Sequence, residues 1–340
     1  MKIVDNEKQK VFQAFDYNFV FDKENGTMYR WGSTTKDDPQ FCPYGPEILD
    51  LEISVGDCSG KCPWCYKANS VGNGYHMSLE TFKAIIDKMP ETLTQVALGL
   101  TDVDANKDLV AICEYARQQG IIPNFTLAGY GLTDELLEKV TPLVGAVAVS
   151  VYPHNKELAY ETAQRFLDAG VKQTNFHLLY YQENMRFVFE VIGDVASHKA
   201  PDINALVLLA LKKRGRAEEG FTVLSTDAFC AMVNHCILSG VPIGFDSCSA
   251  PKFEHYAKMI NREDLIKYSE PCESALMSSY IDVHGNFYPC SFMEGIGLWK
   301  EGISVLDCDN FLEEVWFNER VREWRVGLME NCRNCPVFTV

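Results

Sequence analysis

The stretch DCSGKCPWCYKANS (57–70) gathers three cysteines, Cys58, Cys62 and Cys65, within eight positions. Their spacing is C-x3-C-x2-C, and the next cysteine along the chain is Cys113. Three thiolates on one loop can hold three corners of a cubane [4Fe–4S] cluster. A fourth would close it, whereas three leave one iron open. An open position is what a catalytic metal needs and a structural metal lacks. The competing readings are a structural zinc site and a plain three-cysteine loop. Structural zinc sites usually present two C-x2-C knuckles, which this stretch does not.

A second constellation ends the chain. CESALMSSYIDVHGNFYPCSFMEG (272–295) carries Cys272 and Cys290, and NCRNCP (331–336) carries Cys332 and Cys335. Two pairs of thiolates on tight turns can close a cubane completely. Four cysteines that include a C-x2-C knuckle also make a good zinc pattern. Cys308 lies between the pairs and can replace one ligand. Cys248, in FDSCSAP (245–251), reads as an extra ligand, a catalytic thiol or a buried cysteine. Cys113, Cys230 and Cys236 sit on helical stretches and read as small core residues.

The elements that must position these loops are regular. ILDLEISV (48–55), QVALGL (95–100), PNFTLAG (123–129), GAVAVSVY (145–152), TNFHLLY (174–180) and INALVLLAL (203–211) are short apolar runs. Between and after them lie helical segments: 78–89, 106–120, 133–144, 156–170, 185–198 and 227–240. Ser78 and Thr133 suit the starts of two of them, and Gly120 and Gly170 suit two ends. Apolar strands alternating with helices of this length predict βαβ units and a parallel sheet. VPIGFD (241–246) adds a further strand to the expectation. Chemistry in such folds sits at the C-terminal ends of the strands, and the first cysteine loop starts three residues past the first strand. The expected divisions are an N-terminal hairpin cover (1–47) turning at Glu24-Asn25-Gly26, a β/α core (48–247) and a small metal-stabilised unit (248–340).

Composition narrows the class. The chain has 340 residues, 13 cysteines and a net charge of −16. Acidity on this scale opposes non-specific binding to nucleic acid or anionic membranes. The basic patch Lys212-Lys213-Arg214 with Arg216 reads as a solvated loop. No apolar run approaches the ~20 residues of a membrane helix, and no signal-peptide pattern opens the sequence. The expected location is the cytoplasm, where clustered thiols serve metals more often than disulfides.

Cys58-x3-Cys62-x2-Cys65, with Trp64 before the last cysteine and a β/α core around it, resembles the radical S-adenosylmethionine (radical SAM) signature. The resemblance covers roughly 48–246 and implies a partial (β/α)6 TIM-like barrel. It implies that the open iron is chelated by S-adenosylmethionine and that one electron from the cluster cleaves the C–S bond. The resulting 5′-deoxyadenosyl radical then takes hydrogen from a substrate. Trp64 would lie near the adenine. The family's Gly-Gly-Glu-Pro-like run, which meets the methionyl amino group, is replaced here by LGLTDVDAN (98–106), with Gly99, Thr101 and Asp102 as its candidates. Ser150 matches a serine that contacts the ribose.

The C-terminal segment resembles SPASM and twitch domains: Cys272, then Gly285, four residues and Cys290, then VWFNERVREWR (315–325), then Cys332-x2-Cys335. That implies a twitch-like unit in which Cys272, Cys290, Cys332 and Cys335 hold one auxiliary [4Fe–4S] cluster. The implied substrate is a peptide or protein side chain, slightly favoured, or a small molecule to be dehydrogenated. The implied reductant is a flavodoxin or ferredoxin. The remaining alternative is a non-catalytic iron–sulfur or zinc protein that carries electrons or scaffolds a partner. It requires four protein ligands at every metal.

Overall fold

The computed structural model describes residues 1–69 and 72–339. The N-terminal cover is an antiparallel meander of β1 (Lys2–Asp5), β2 (Gln9–Gln13), β3 (Asn18–Asp22) and β4 (Met28–Trp31). The expected hairpin is β3–β4. Its turn holds Gly26 at φ +76°, and the Asp22 carboxylate accepts from the N–H groups of Glu24 and Asn25 at 2.8 and 3.1 Å. Two further strands precede it, joined at Asn6. The Asn6 side chain accepts from the N–H groups of Lys8 and Gln9 at 2.9 and 3.0 Å. That polar turn lacks the Asn-Gly or Asp-Gly signal, so the first hairpin is hard to see in sequence.

Phe12, Phe19 and Phe21 line the buried face of this sheet and share a core with Leu276, Met277 and Leu328 from the other end of the chain. One ionic knot fastens the cover. Tyr17 donates to the buried Glu47 carboxylate at 2.5 Å, and Arg30 donates to it from Nε at 3.1 Å. Removing Glu47 takes the acceptor from Tyr17 and leaves the largely buried Arg30 only its longer pairs with Glu273 at 3.6 Å and Glu270 at 3.9 Å. Glu47→Ala is therefore expected to cost about 3–5 kcal/mol, read as a lowered thermal midpoint.

The central sheet has ten strands. In chain order its first elements are β5 (Ile48–Glu52), the short pair β6 (Ser54–Val55) and β7 (Tyr75–His76), α1 (Leu79–Ile86), β8 (Gln95–Gly99), α2 (Leu109–Gln118), β9 (Ile122–Leu127) and α3 (Asp134–Val140). Then come β10 (Val147–Ser150), α4 (Lys156–Asp168), β11 (Thr174–Tyr180), α5 (Met185–Ala196), β12 (Ala205–Ala210), α6 (Thr226–Leu238) and β13 (Ile243–Phe245). The chain closes with α7 (Ala250–Met259), β14 (Ser278–Ile281), β15 (Asn286–Tyr288), β16 (Ile303–Ser304) and α8 (Glu319–Glu330). β6 and β7 pair with each other and stand outside the large sheet.

Strand order across the large sheet is β13-β12-β11-β10-β9-β8-β5-β14-β15-β16. The seven strands from β5 to β13 run parallel, as the apolar runs predict. Ser78 and Thr133 do cap α1 and α3, accepting from Thr81 and Leu136 at 3.2 and 3.1 Å. β14 adds in parallel to β5, and β15 and β16 follow antiparallel. The C-terminal segment therefore extends the same sheet, and one hydrophobic core runs from Leu49 to Val321. No helix is long and apolar enough to cross a membrane among the described residues.

Period-2 alternation decides what faces inward. On β5, Leu49 and Leu51 are buried, while Asp50 and Glu52 point to the opposite face. On β11, Phe176 and Leu178 are buried, and His177 and Leu179 take the other side. Side chains from β5, β8, β9, β10, β11 and β12 line one cavity of about 490 Å³, so the sheet curves around it.

Candidate cluster and cofactor site

The cysteine loop leaves the sheet just past β6 and folds into successive turns. Cys65 N–H donates to the Cys62 carbonyl at 3.2 Å, and Ala68 N–H donates to the Cys65 carbonyl at 3.1 Å. Gly60 leaves the loop's centre open. A Cβ there would stand 3.5 Å from the Sγ atoms of both Cys58 and Cys62. Two outside groups hold the loop. Asp102 accepts from Ser59 N–H at 2.9 Å and from its hydroxyl at 2.5 Å. Arg216 donates from Nε to the Cys62 carbonyl at 2.9 Å and from Nη1 to the Asn69 carbonyl at 2.6 Å. Next to it, Gly215 at φ +59° lets the chain pass against the loop; a Cβ would overlap the carbonyl oxygens of Cys65 and Tyr66.

Three of the four residues of the basic patch thus turn inward, and Lys213 stays exposed. Lys212 is buried and ion-paired with Asp246, Arg214 donates to the Glu294 carbonyl, and Arg216 clamps the cysteines. Sequence shows the charges but not that the strand end turns them inward.

Cys58, Cys62 and Cys65 all line the cavity. Burial pushes the Cys62 thiol up to about 12, with Cys65 and Cys58 adding to the shift. Loading a metal here must therefore release protons. His154 Nε2 lies 3.8 Å from Cys62 Sγ, a neighbour the sequence reading did not single out.

Trp64 sits in an aromatic box, its ring 5.2 Å from that of Tyr152, 5.7 Å from Tyr181 and 6.3 Å from Phe221. Gly99, Thr101 and Ser150 also line the cavity, and among the described residues neither the buried Thr101 hydroxyl nor the Trp64 indole N–H has a partner. Both atoms are covered by protein rather than open to the cavity. Asp102 is different. It does not line the cavity, and both its oxygens serve Ser59. Its role in the structure is to position the cysteine loop. Asp102→Ala is expected to remove two hydrogen bonds worth about 1–3 kcal/mol locally. The check is faster loss of iron from the reconstituted protein, with Asp102→Asn intermediate.

Beside the loop, Lys67 pairs with Glu52 at 3.0 Å and donates to the Tyr280 hydroxyl at 2.8 Å. It also pairs with Glu294. Glu52 belongs to β5, and Tyr280 and Glu294 belong to the C-terminal segment. One largely buried ammonium thus ties the cysteine loop to β5 and to the C-terminal segment that pairs beside it.

The far wall of the same cavity carries Cys248, Cys272, Cys290 and Cys335. They are near enough that the other three each raise Cys290 further, after burial. Cys248 is pushed up by burial to about 11, and Lys212 opposes that rise. Cys332 lies at the exposed side of its turn and does not line the cavity. Cys308 is buried elsewhere, its thiol on the Val305 carbonyl at 3.1 Å. Among the described residues, no three Cys, His, Asp or Glu side chains converge as tightly as a single metal ion needs. A cubane accepts thiolates at wider separation, because each binds a different iron.

No protein-family model and no curated protein matches the chain. Solved structures do match its fold. One is SuiB of Streptococcus suis bound to the precursor peptide SuiA, at 11% identity and a TM-score of 0.71, covering 95% of this chain and 90% of that one. Another is anSMEcpe with bound AdoMet and Cp18Cys peptide, at 13% identity and 0.62, covering 86% of each. A third is SuiB bound to S-adenosylmethionine, at 12% and 0.61, covering 83% of this chain and 68% of that one. The chain has the fold of these radical SAM structures.

Proposed function

We propose that this chain is a radical SAM enzyme with one iron–sulfur cluster on the cysteine loop of its partial barrel and a second held by its C-terminal segment. Cys58, Cys62 and Cys65 would hold a [4Fe–4S] cluster with one open iron. When bound, that cluster supplies the electron that cleaves S-adenosylmethionine to a 5′-deoxyadenosyl radical. The observation that carries the reading is the meeting of three loop thiols and a second group of thiols on one cavity at the strand ends.

The chain's own residues divide the remaining work. The aromatic box around Trp64 excludes water and offers flat apolar surface to an adenine ring. Gly99 at the end of β8 and Thr101 just past it would meet the methionyl amino group, and Ser150 would meet the ribose. On the far wall, Cys272, Cys290 and Cys335 would hold an auxiliary cluster, with Cys248 as fourth ligand. The substrate would be a peptide or protein side chain. Two fold neighbours solved with peptides, SuiA and Cp18Cys, support that choice. A flavodoxin or ferredoxin would supply the electron.

The test is anaerobic reconstitution with iron and sulfide, then dithionite and S-adenosylmethionine. The expected result is about eight irons per chain and 5′-deoxyadenosine. About four irons with deoxyadenosine would remove the auxiliary cluster. A loaded cluster without deoxyadenosine would sink the enzymatic reading and favour an electron carrier or scaffold.

A further inference from the structure

Charges on the cavity wall are almost all matched. Three acids line it, Asp50, Glu52 and Asp246, against two lysines, Lys67 and Lys212. Glu52 is paired with Lys67, and Asp246 with Lys212. His177, the other basic side chain on this wall, is held neutral: burial pushes it down to about 4, opposed by Asp246. Asp50 is left over.

Asp50 lies on β5 with Tyr280 beside it on β14 and Ala97 beside it on β8. It has no hydrogen-bond or ion-pair partner among the described residues, while the Tyr280 hydroxyl two residues further up serves Glu52 at 3.1 Å. The side chain is exposed to the cavity, and the surrounding protein partly desolvates it. Burial alone lifts it to about 6, so it is mostly ionised at neutral pH. A carboxylate that faces the cavity without a partner is free to pair with a cation that enters it, and such charge-assisted hydrogen bonds are among the stronger ones.

We infer that Asp50 is the docking point for a cationic group on the substrate, a primary ammonium or a guanidinium. The inference rests on the radical SAM reading and narrows it: the molecule that enters beside S-adenosylmethionine carries an amine-type cation. Asp50 would fix which substrate carbon faces the deoxyadenosyl group, as a specificity residue.

The test uses the reconstituted holoenzyme saturated with S-adenosylmethionine. Two probes are titrated by anaerobic calorimetry: N-acetyl-lysine amide and its uncharged near-isostere N-acetyl-norleucine amide. The expected result is a preference for the lysine probe of about tenfold or more. Asp50→Asn should erase the preference at unchanged iron content, and Asp50→Glu should keep part of it. Equal binding of the two probes, binding of neither, or a preference that survives Asp50→Asn overturns the inference. So does weakened S-adenosylmethionine binding in Asp50→Asn, which would give the carboxylate to the cosubstrate. Deoxyadenosine formation by the wild-type protein separates the two failures. Without it the enzymatic reading falls; with it, and without discrimination, only the role of Asp50 falls.

Discussion

Cys62→Ala is expected to stop deoxyadenosine formation, lowering it at least about a thousandfold, or about 4 kcal/mol. Cys62 is the middle thiol of the loop, 3.5 Å from the Cβ position of Gly60 and 3.8 Å from His154. The two cysteines left after its removal cannot retain a cubane with one open iron. The loop itself should survive, because Asp102, Arg216 and Lys67 hold it through atoms other than the thiol. The second thiol group stands on different elements, so iron should fall from about eight to about four per chain and not to zero. Cys113→Ser supplies the control: that cysteine is buried in α2, remote from the cavity, and its loss should cost stability without touching deoxyadenosine yield. Deoxyadenosine from Cys62→Ala at even a tenth of the wild-type rate would show that the loop does not hold the reacting cluster.

The β/α core was readable because its signals are local. Apolar runs of strand length, separated by capped helices, specify parallel strands whatever else the chain does, and even VPIGFD appears where it was expected, as β13. The pairing of β14 with β5 is another matter. Ser278 lies opposite Ile48, and nothing in either segment names the other across that separation. The inward turn of Lys212 and Arg216 was hidden for a similar reason. A run of basic residues looks the same on a solvated loop as on one folded over a cavity. Asp50 and Glu52 did leave a trace: two acids at alternate positions of an otherwise apolar strand share one face, and that face must be wet or functional. Spacing alone does not show that Asp102 grips the cysteine loop, since one residue decides which way a side chain past a strand end points.

The C-terminal cysteines give the sharpest contest between sequence pattern and packing. Pattern pairs Cys332 with Cys335 as a knuckle. Packing puts Cys335 on the cavity wall, leaves Cys332 exposed, and places Cys248, just past β13, on the same wall as Cys272 and Cys290. Lys212 lies beside Cys248, and its charge favours the thiolate that a metal requires. Cys248→Ala is therefore expected to lose about four irons per chain and to stop substrate turnover, while uncoupled S-adenosylmethionine cleavage continues at the first cluster. Cys332→Ala should keep full iron and turnover. Iron content and deoxyadenosine measured on both variants decide it. The opposite pattern, with iron lost from Cys332→Ala and kept in Cys248→Ala, would mean that the turn at 331–335 rotates when the cluster assembles. In that case the C-x2-C spacing selects the ligand, and Cys248 stands free beside the cluster as a buried thiol paired with a lysine.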